Sequence, residues 1–207
     1  MAWFTKQKRS PRPIPLIICK MTPQNIEILK NGGVGVIPTD TIYGIVGRAD
    51  LVGTVKRISK IKNRSDGKGF IVIISSVDDL KIFGIEVSDQ VKTFLNKFWP
   101  GKVSVEFFYD SPKFSHIRRS EGCNAFRLPN KKDLIKLIKE TGPLVAPSAN
   151  PEGQVPAKNI VEAKKYFNDE VDFYEDGGEL NSPPSTLVRI NGDKVEVLRQ
   201  GPVTVSI

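Results

Sequence analysis

The sequence predicts a mixed α/β (α+β) fold, a twisted mixed sheet flanked by helices, and three observations predict it. Apolar runs rich in β-branched residues take turns with stretches of helical spacing. Proline and glycine fall at the junctions between short elements and form no linker. Near the C-terminus, Asn191-Gly192 separates two alternating runs, a hairpin signal that adds an antiparallel pair to the sheet.

Thr22 ahead of Pro23 has the chemistry of an N-cap and a first helical residue. The helix they open carries Ile26 and Leu29 and stops at Gly32-Gly33. Val34, Val36 and Ile37 then read as a buried strand. Leu51 to Lys62 has helical spacing through Val55, Ile58 and Ile61, and Phe70 to Ile74 is a continuous apolar strand. Further helices are expected over Asp78 to Phe83, Asp89 to Phe98, Lys131 to Glu140 and Ala157 to Phe167. Strands are expected over Val103 to Phe108, Ala125 to Leu128, Pro143 to Ala146, Val171 to Tyr174, Ser185 to Ile190 and Val195 to Arg199. Phe98 and Trp99 end an amphipathic helix and so read as core residues, not as a stacking platform for bases.

A chain of 207 residues fits one domain with a core that needs no cross-links. Lys+Arg number 31 against 23 Asp+Glu, a formal charge of +8 that favours anionic partners such as nucleotide, nucleic acid or pyrophosphate. Cys19 and Cys123 stand in no metal-ligand spacing, and His116 is the lone histidine, so a zinc cluster and histidine-led catalysis are excluded and no metal site made of protein side chains is expected. A reducing cytoplasm is the expected location. No apolar run approaches the ~20 residues needed to span a bilayer, so no membrane role is expected. The first twenty residues hold Lys6, Lys8, Arg9, Arg12 and Lys20 without an acid, broken by prolines. They read as a flexible basic arm over residues 1–21, with the catalytic domain over 22–207.

No P-loop appears, and Gly32, Gly33 and Gly35 precede a strand, so the dinucleotide fingerprint fails too. Chemistry can gather in three other places. Residues 38–44, PTDTIYG, follow a buried strand where open α/β sheets place ligand contacts, although a turn and helix cap would use the same residue types. Lys60, Lys62, Arg64 and Lys68 concentrate cations that could hold phosphoryl oxygens, or form only a solvated helix end. Ser148 and Asn150 follow a strand end and can offer a hydroxyl and an amide to one ligand, or make an Asn-Pro turn. Downstream lie Asp176-Gly177-Gly178, Ser185-Thr186 and Arg199-Gln200-Gly201.

Taken in order, PTDTIYG (38–44), KNR (62–64) with KGFIVI (68–73), FWPG (98–101), FRLP (126–129), APSAN (146–150) with Gly153, DGG with PST (176–186) and LRQG (198–201) resemble the YrdC/TsaC family of threonylcarbamoyl-AMP synthases. The resemblance spans roughly residues 22 to 205. It implies a YrdC-like fold with a concave cationic cavity. The implied enzyme is a nucleotidyltransferase that makes L-threonylcarbamoyladenylate and pyrophosphate from L-threonine, bicarbonate and ATP, with Mg2+ carried by the nucleotide. Its product would serve threonylcarbamoyladenosine modification of tRNA, with the transferase proteins that use the adenylate as partners.

Carried over by motif, Lys62 and Arg64 would be catalytic and hold ATP phosphates, with Lys68, Ser148, Asn150, Ser185 and Arg199 completing the ATP site. Thr39, Thr41, Tyr43, Arg127 and Ser148 would line the threonine pocket, Arg127 pairing with the carboxylate. The loop from Arg64 to Gly69 is the expected mobile segment. The chain departs from the family pattern at Ser65, Ile73, Lys102 and Ser104. Two other readings stand beside this one: a noncatalytic module binding double-stranded RNA or tRNA, and a carbamoyl-adenylate handler like the related domain of hydrogenase maturation proteins. The latter carry further zinc-finger parts, for which this chain has too few cysteines.

Overall fold

The computed structural model describes residues 21–191 and 194–205. The basic arm, apart from Met21, and the turn residue Gly192 lie outside the described residues.

Helix α1 (Pro23–Lys30) starts as its sequence dictates, Thr22 Oγ1 accepting from Asn25 N at 3.1 Å. Strand β1 (Gly35–Pro38) follows. The next element corrects the sequence expectation, since Tyr43–Arg48 forms a second strand, β2, antiparallel to β1 with Gly35 opposite Val46 and Pro38 opposite Tyr43. Gly44 and Gly47 dilute its apolar signal, and Gly47 is demanded by packing. A Cβ there would stand 2.4 Å from Thr54 Cγ2 of α2 (Val52–Ile61), the helix that lies against this strand.

The chain continues through β3 (Ile71–Ile73), a 3-10 helix (Val77–Phe83), α3 (Asp89–Phe98), β4 (Val103–Phe108), an unanticipated 3-10 helix (Pro112–Ile117) and β5 (Cys123–Arg127). It ends with α4 (Lys132–Thr141), β6 (Leu144–Val145), α5 (Ile160–Phe167), β7 (Phe173–Tyr174), β8 (Thr186–Asn191) and β9 (Lys194–Arg199). Helix α5 begins later than expected because Asn159 is its cap: Asn159 Oδ1 accepts from Glu162 N at 2.9 Å, while Ala157 N is drawn to Ala149 O at 3.1 Å.

Among the described residues one sheet of nine strands results, in the order β7-β1-β2-β6-β3-β5-β4-β8-β9, with parallel and antiparallel neighbours mixed. Alternate residues of its inner strands feed two apolar layers. Val36, Ile45, Val72 and Val145 pack with the α2 and α5 side chains Val55, Ile58 and Ala163, and Ile37, Val46, Ile73 and Leu144 pack with Leu29 of α1 and Leu134, Leu137 and Ile138 of α4. Cover on both faces explains why β1 and β3 read as continuous apolar runs. Trp99 is a core residue as expected, 6% exposed and donating Nε1–H to Val103 O at 2.7 Å.

The second face is not apolar throughout. Register carries it from β3 onto β5, β4 and β8, with Ile71 opposite Ala125, Ala125 opposite Glu106, and Glu106 opposite Arg189. There the face turns polar, and that half of the sheet forms the wall of a cavity.

Candidate functional site

A cavity of about 450 Å³, in the range of small-molecule sites, opens on the polar half of the sheet. Its walls come from the β1–β2 turn (Thr39, Thr41), the loop before β3 (Arg64, Lys68), β5 (Arg127), the segment after β6 (Ser148), and the β8 and β9 ends (Ser185, Arg199). The structure thus gathers residues that the sequence scatters over 160 positions, from Thr39 to Arg199. A shallower groove beside α1 is bridged by the Arg57–Asp172 ion pair at 2.6 Å and holds no comparable set.

At one end the β1–β2 turn presents its hydroxyls inward. Thr39 Oγ1 donates to Ile42 O at 2.7 Å and lies 3.1 Å from Thr41 Oγ1, which accepts from Arg127 Nη1 at 2.8 Å. Arg127 is 3% exposed, with Asp40 Oδ1 3.2 Å from Nη2. Burial pulls its guanidinium below the usual value, and Asp40 opposes that. Arg127 Nε completes no hydrogen bond among the described residues. A buried donor in this state is where a ligand carboxylate gains most. Tyr43 also borders the cavity, but its hydroxyl is engaged in fastening the Asp176–Gly178 loop, donating to Gly178 O at 2.7 Å and accepting from Gly177 N at 2.9 Å.

Toward the other end, Arg64 donates from Nε to Lys68 O at 3.1 Å and from Nη2 to Gly69 O at 2.6 Å, and its guanidinium lies over the Phe70 ring. Burial first, then the nearby Arg119, lower its affinity for the proton, while Glu152 opposes them. Lys68 is paired with Glu152, which also accepts from Ser65 N at 2.6 Å and Ser65 Oγ at 3.0 Å. The hydrogen bond from Lys68 leads the causes that hold the Glu152 carboxyl down at about 2. The loop expected to be mobile is therefore fastened at both Ser65 and Lys68. Arg199 donates to Ser185 O at 2.9 Å from Nη2, and Ser185 Oγ lies 2.8 Å from Ser104 Oγ.

Lys62 and Asn150 differ from expectation, since neither lines the cavity. Lys62 is 2% exposed, and its ammonium donates to the backbone carbonyls of Ser148 and Asn150. It is an internal brace that holds the 146–150 segment against the end of α2. Burial, reinforced by Arg64, pushes its pKa down to about 7. Asn150 spends its amide on Pro151 O and Gln154 O, both at 2.8 Å. Its Oδ1 is buried without a partner among the described residues.

Sequence reasoning missed Glu106, Arg119 and Glu152, whereas the Asp40 carboxylate lay within the PTDTIYG segment it singled out. Only Glu106 left a signal, an acid on the same parity as Ser104 in an otherwise apolar strand.

The protein is thus a mixed α/β domain whose cavity is walled by arginines, a lysine and hydroxyls. The Sua5/YciO/YrdC family model, described as "Telomere recombination", matches residues 27–201, and the chain belongs to that family. A relative from Marinobacter nauticus, named threonylcarbamoyl-AMP synthase, a nucleotidyltransferase-type enzyme, is 29% identical over 164 residues, covering 77% of this chain and 85% of the relative. The structure of Pyrococcus abyssi Sua5 complexed with L-threonine superposes with a TM-score of 0.76 at 25% identity, over 85% of this chain and 52% of the other. Full-length HypF in its phosphate- and nucleotide-bound form shares the fold, with a TM-score of 0.71 at 19% identity, over 84% of this chain and 28% of HypF. Among the described residues no helix is long and apolar enough to cross a membrane.

Proposed function

We propose that the protein is a threonylcarbamoyl-AMP synthase, joining L-threonine, bicarbonate and ATP into L-threonylcarbamoyladenylate and pyrophosphate for tRNA modification. The observation that carries the reading is Arg127: a buried arginine with an unfilled Nε, beside Thr39 and Thr41, in one cavity with Arg64, Lys68 and Arg199. A carboxylate site and a polyphosphate site within one hollow are what the reaction requires.

The threonine amine nitrogen bonds to the bicarbonate carbon as its C–OH bond breaks, and the hydroxyl leaves as water with a proton from the amine, giving a carbamate. Its oxygen bonds to the α-phosphorus of ATP as the bond from that phosphorus to the bridging oxygen breaks, and pyrophosphate leaves with the electron pair. Both reactants are anions, so the barrier is largely electrostatic. Arg64, Lys68 and Arg199 would neutralise the phosphates, Arg127 would hold the carboxylate, and Thr39, Thr41 and Ser148 would orient the amino acid. Lys62 would act by bracing the Ser148 segment. Mg2+ would arrive with the nucleotide, since Glu106, an acid that lines the cavity, is taken up by arginines.

The test is ATP–pyrophosphate turnover by the purified chain. Pyrophosphate release that requires both threonine and bicarbonate supports the synthase. RNA affinity with a steep salt dependence and no adenylate formed would replace it with the RNA-binding module.

A further inference from the structure

Glu106 is an anomaly in a cavity built for anions. It is fully buried on β4, yet it faces the cavity and lies in register with Ala125 and Arg189. Oε1 accepts from Arg119 Nη1 at 2.6 Å, and Oε2 accepts from Arg189 Nε at 2.9 Å and Nη2 at 2.7 Å. Cys123 Sγ lies 3.8 Å from Oε2. One carboxylate shared by two guanidiniums leaves the trio with a net positive charge. Arg189 takes one oxygen, so Glu106 hydrogen-bonds Arg119 at Nη1 alone. Glu121, 3.6 Å from Arg119 Nε, is the other acid beside it.

Arg119 lines the cavity next to the cations of the Arg64–Gly69 loop. Its stem packs on Gly69, where a Cβ would stand 2.3 Å from Arg119 Cγ, and Arg64 bonds the carbonyl of that same glycine. Arg119 N donates to Cys123 O at 2.9 Å, four residues ahead of Arg127 on β5, and at about 3.3 Å per residue the two arginines are anchored about 13 Å apart along the strand. In the synthase reading, on which this inference rests, the threonine carboxylate at Arg127 is separated from the α-phosphorus by five bonds of about 1.5 Å, a reach on the order of 6 Å. On that reach the α-phosphorus would stop short of Arg119, leaving room for the β- and γ-phosphates to extend toward it.

We propose that Arg119 is a contact for the departing pyrophosphate, with Glu106 as its positioning residue and Arg189 as the counter-cation that keeps Glu106 from neutralising it.

Binding of ATP, pyrophosphate, AMP and L-threonine to the full chain, measured by calorimetry, tests this. Arg119→Ala is expected to weaken pyrophosphate and ATP by about tenfold or more while leaving AMP and threonine within about twofold, and Arg119→Lys should recover part of the loss. Glu106→Gln should weaken pyrophosphate in the wild-type background and add nothing on top of Arg119→Ala. Equal weakening of AMP and pyrophosphate, or unchanged pyrophosphate affinity in Arg119→Ala, would overturn the assignment. An undiminished Glu106→Gln effect in the Arg119→Ala background would remove the positioning role. Failure of the wild-type protein to bind ATP or threonine would bring down the synthase reading itself, whereas normal wild-type binding with an indifferent Arg119→Ala defeats this inference alone.

Discussion

Arg127 Nη2 stands 3.2 Å from Asp40 Oδ1, and both side chains are almost wholly buried. Neither Oδ1 nor Arg127 Nε completes a hydrogen bond among the described residues. Proximity supplies Coulomb attraction, but the unfilled valences leave part of the desolvation cost standing. Removing one partner strands the other's charge, so Asp40→Ala should lower the unfolding free energy in urea by about 3 to 5 kcal/mol. Replacing both, as Asp40→Leu with Arg127→Met, should cost far less while abolishing threonine binding. Equal destabilisation of the single and double variants would show that the pair is not coupled.

Lys62 sets a pH dependence of stability. Its folded pKa of about 7 lies below the ordinary 10.5, so between those values the unfolded chain binds more protons than the folded one. Stability then rises with pH across this window, and below pH 7 the full penalty applies. At about 1.4 kcal/mol per unit, the wild type should gain about 3 to 5 kcal/mol relative to Lys62→Met between neutral pH and pH 10.5. Parallel unfolding curves for the two proteins over that range would contradict the buried ammonium.

The fold was legible where one local rule governed. Thr22-Pro23 capped a helix and Val34 to Ile37 made a strand because cap chemistry and β-branching act within a few residues. Strand β2 was hidden because its Gly47 answers to Thr54 on α2, a neighbour that sequence spacing does not reveal. The site divides in the same way. Thr39, Thr41, Arg64, Lys68, Arg127, Ser148, Ser185 and Arg199 reach the cavity, and a motif could identify them because each sits at a strand end or turn. Lys62 and Asn150 were read as ligand contacts because residue type does not set side-chain direction: carbonyls 86 and 88 residues away claim Lys62, and a local turn claims the Asn150 amide. Glu152 and Arg119 became visible only through their partners across the fold.

The two ends of the cavity should separate kinetically. Arg64 lines the wall beside Lys68, and losing a charge-assisted phosphate contact costs about 1.5 to 3 kcal/mol, so Arg64→Ala should cut pyrophosphate release by more than about tenfold. Thr41 receives Arg127 Nη1, so Thr41→Ala should chiefly raise the threonine concentration needed for half-maximal rate. Steady-state kinetics with each substrate varied in turn decides the matter. A Thr41→Ala defect confined to ATP would place that hydroxyl at the wrong end.

In the synthase reading Glu152 would compete with the nucleotide for Lys68. The carboxylate holds Lys68 and Ser65, and with its pKa near 2 the latch stays charged at every pH where the protein would work. Its folded pKa lies below the ordinary value, so any stability it lends is present above pH 4.5 and disappears only as the pH falls through about 2. On that reading ATP would recruit Lys68 by displacing Glu152, and exposed ion pairs of this kind are weak enough to exchange. Glu152→Gln should free the lysine and raise ATP affinity by about two- to fivefold, while amide exchange in the Arg64–Gly69 loop becomes faster in the nucleotide-free protein. Adding ATP to the wild type should produce the opposite change at the loop, since phosphates take over the cations that Glu152 releases. Weaker ATP binding by Glu152→Gln would mean instead that the carboxylate holds the loop in its binding geometry and does not compete for it.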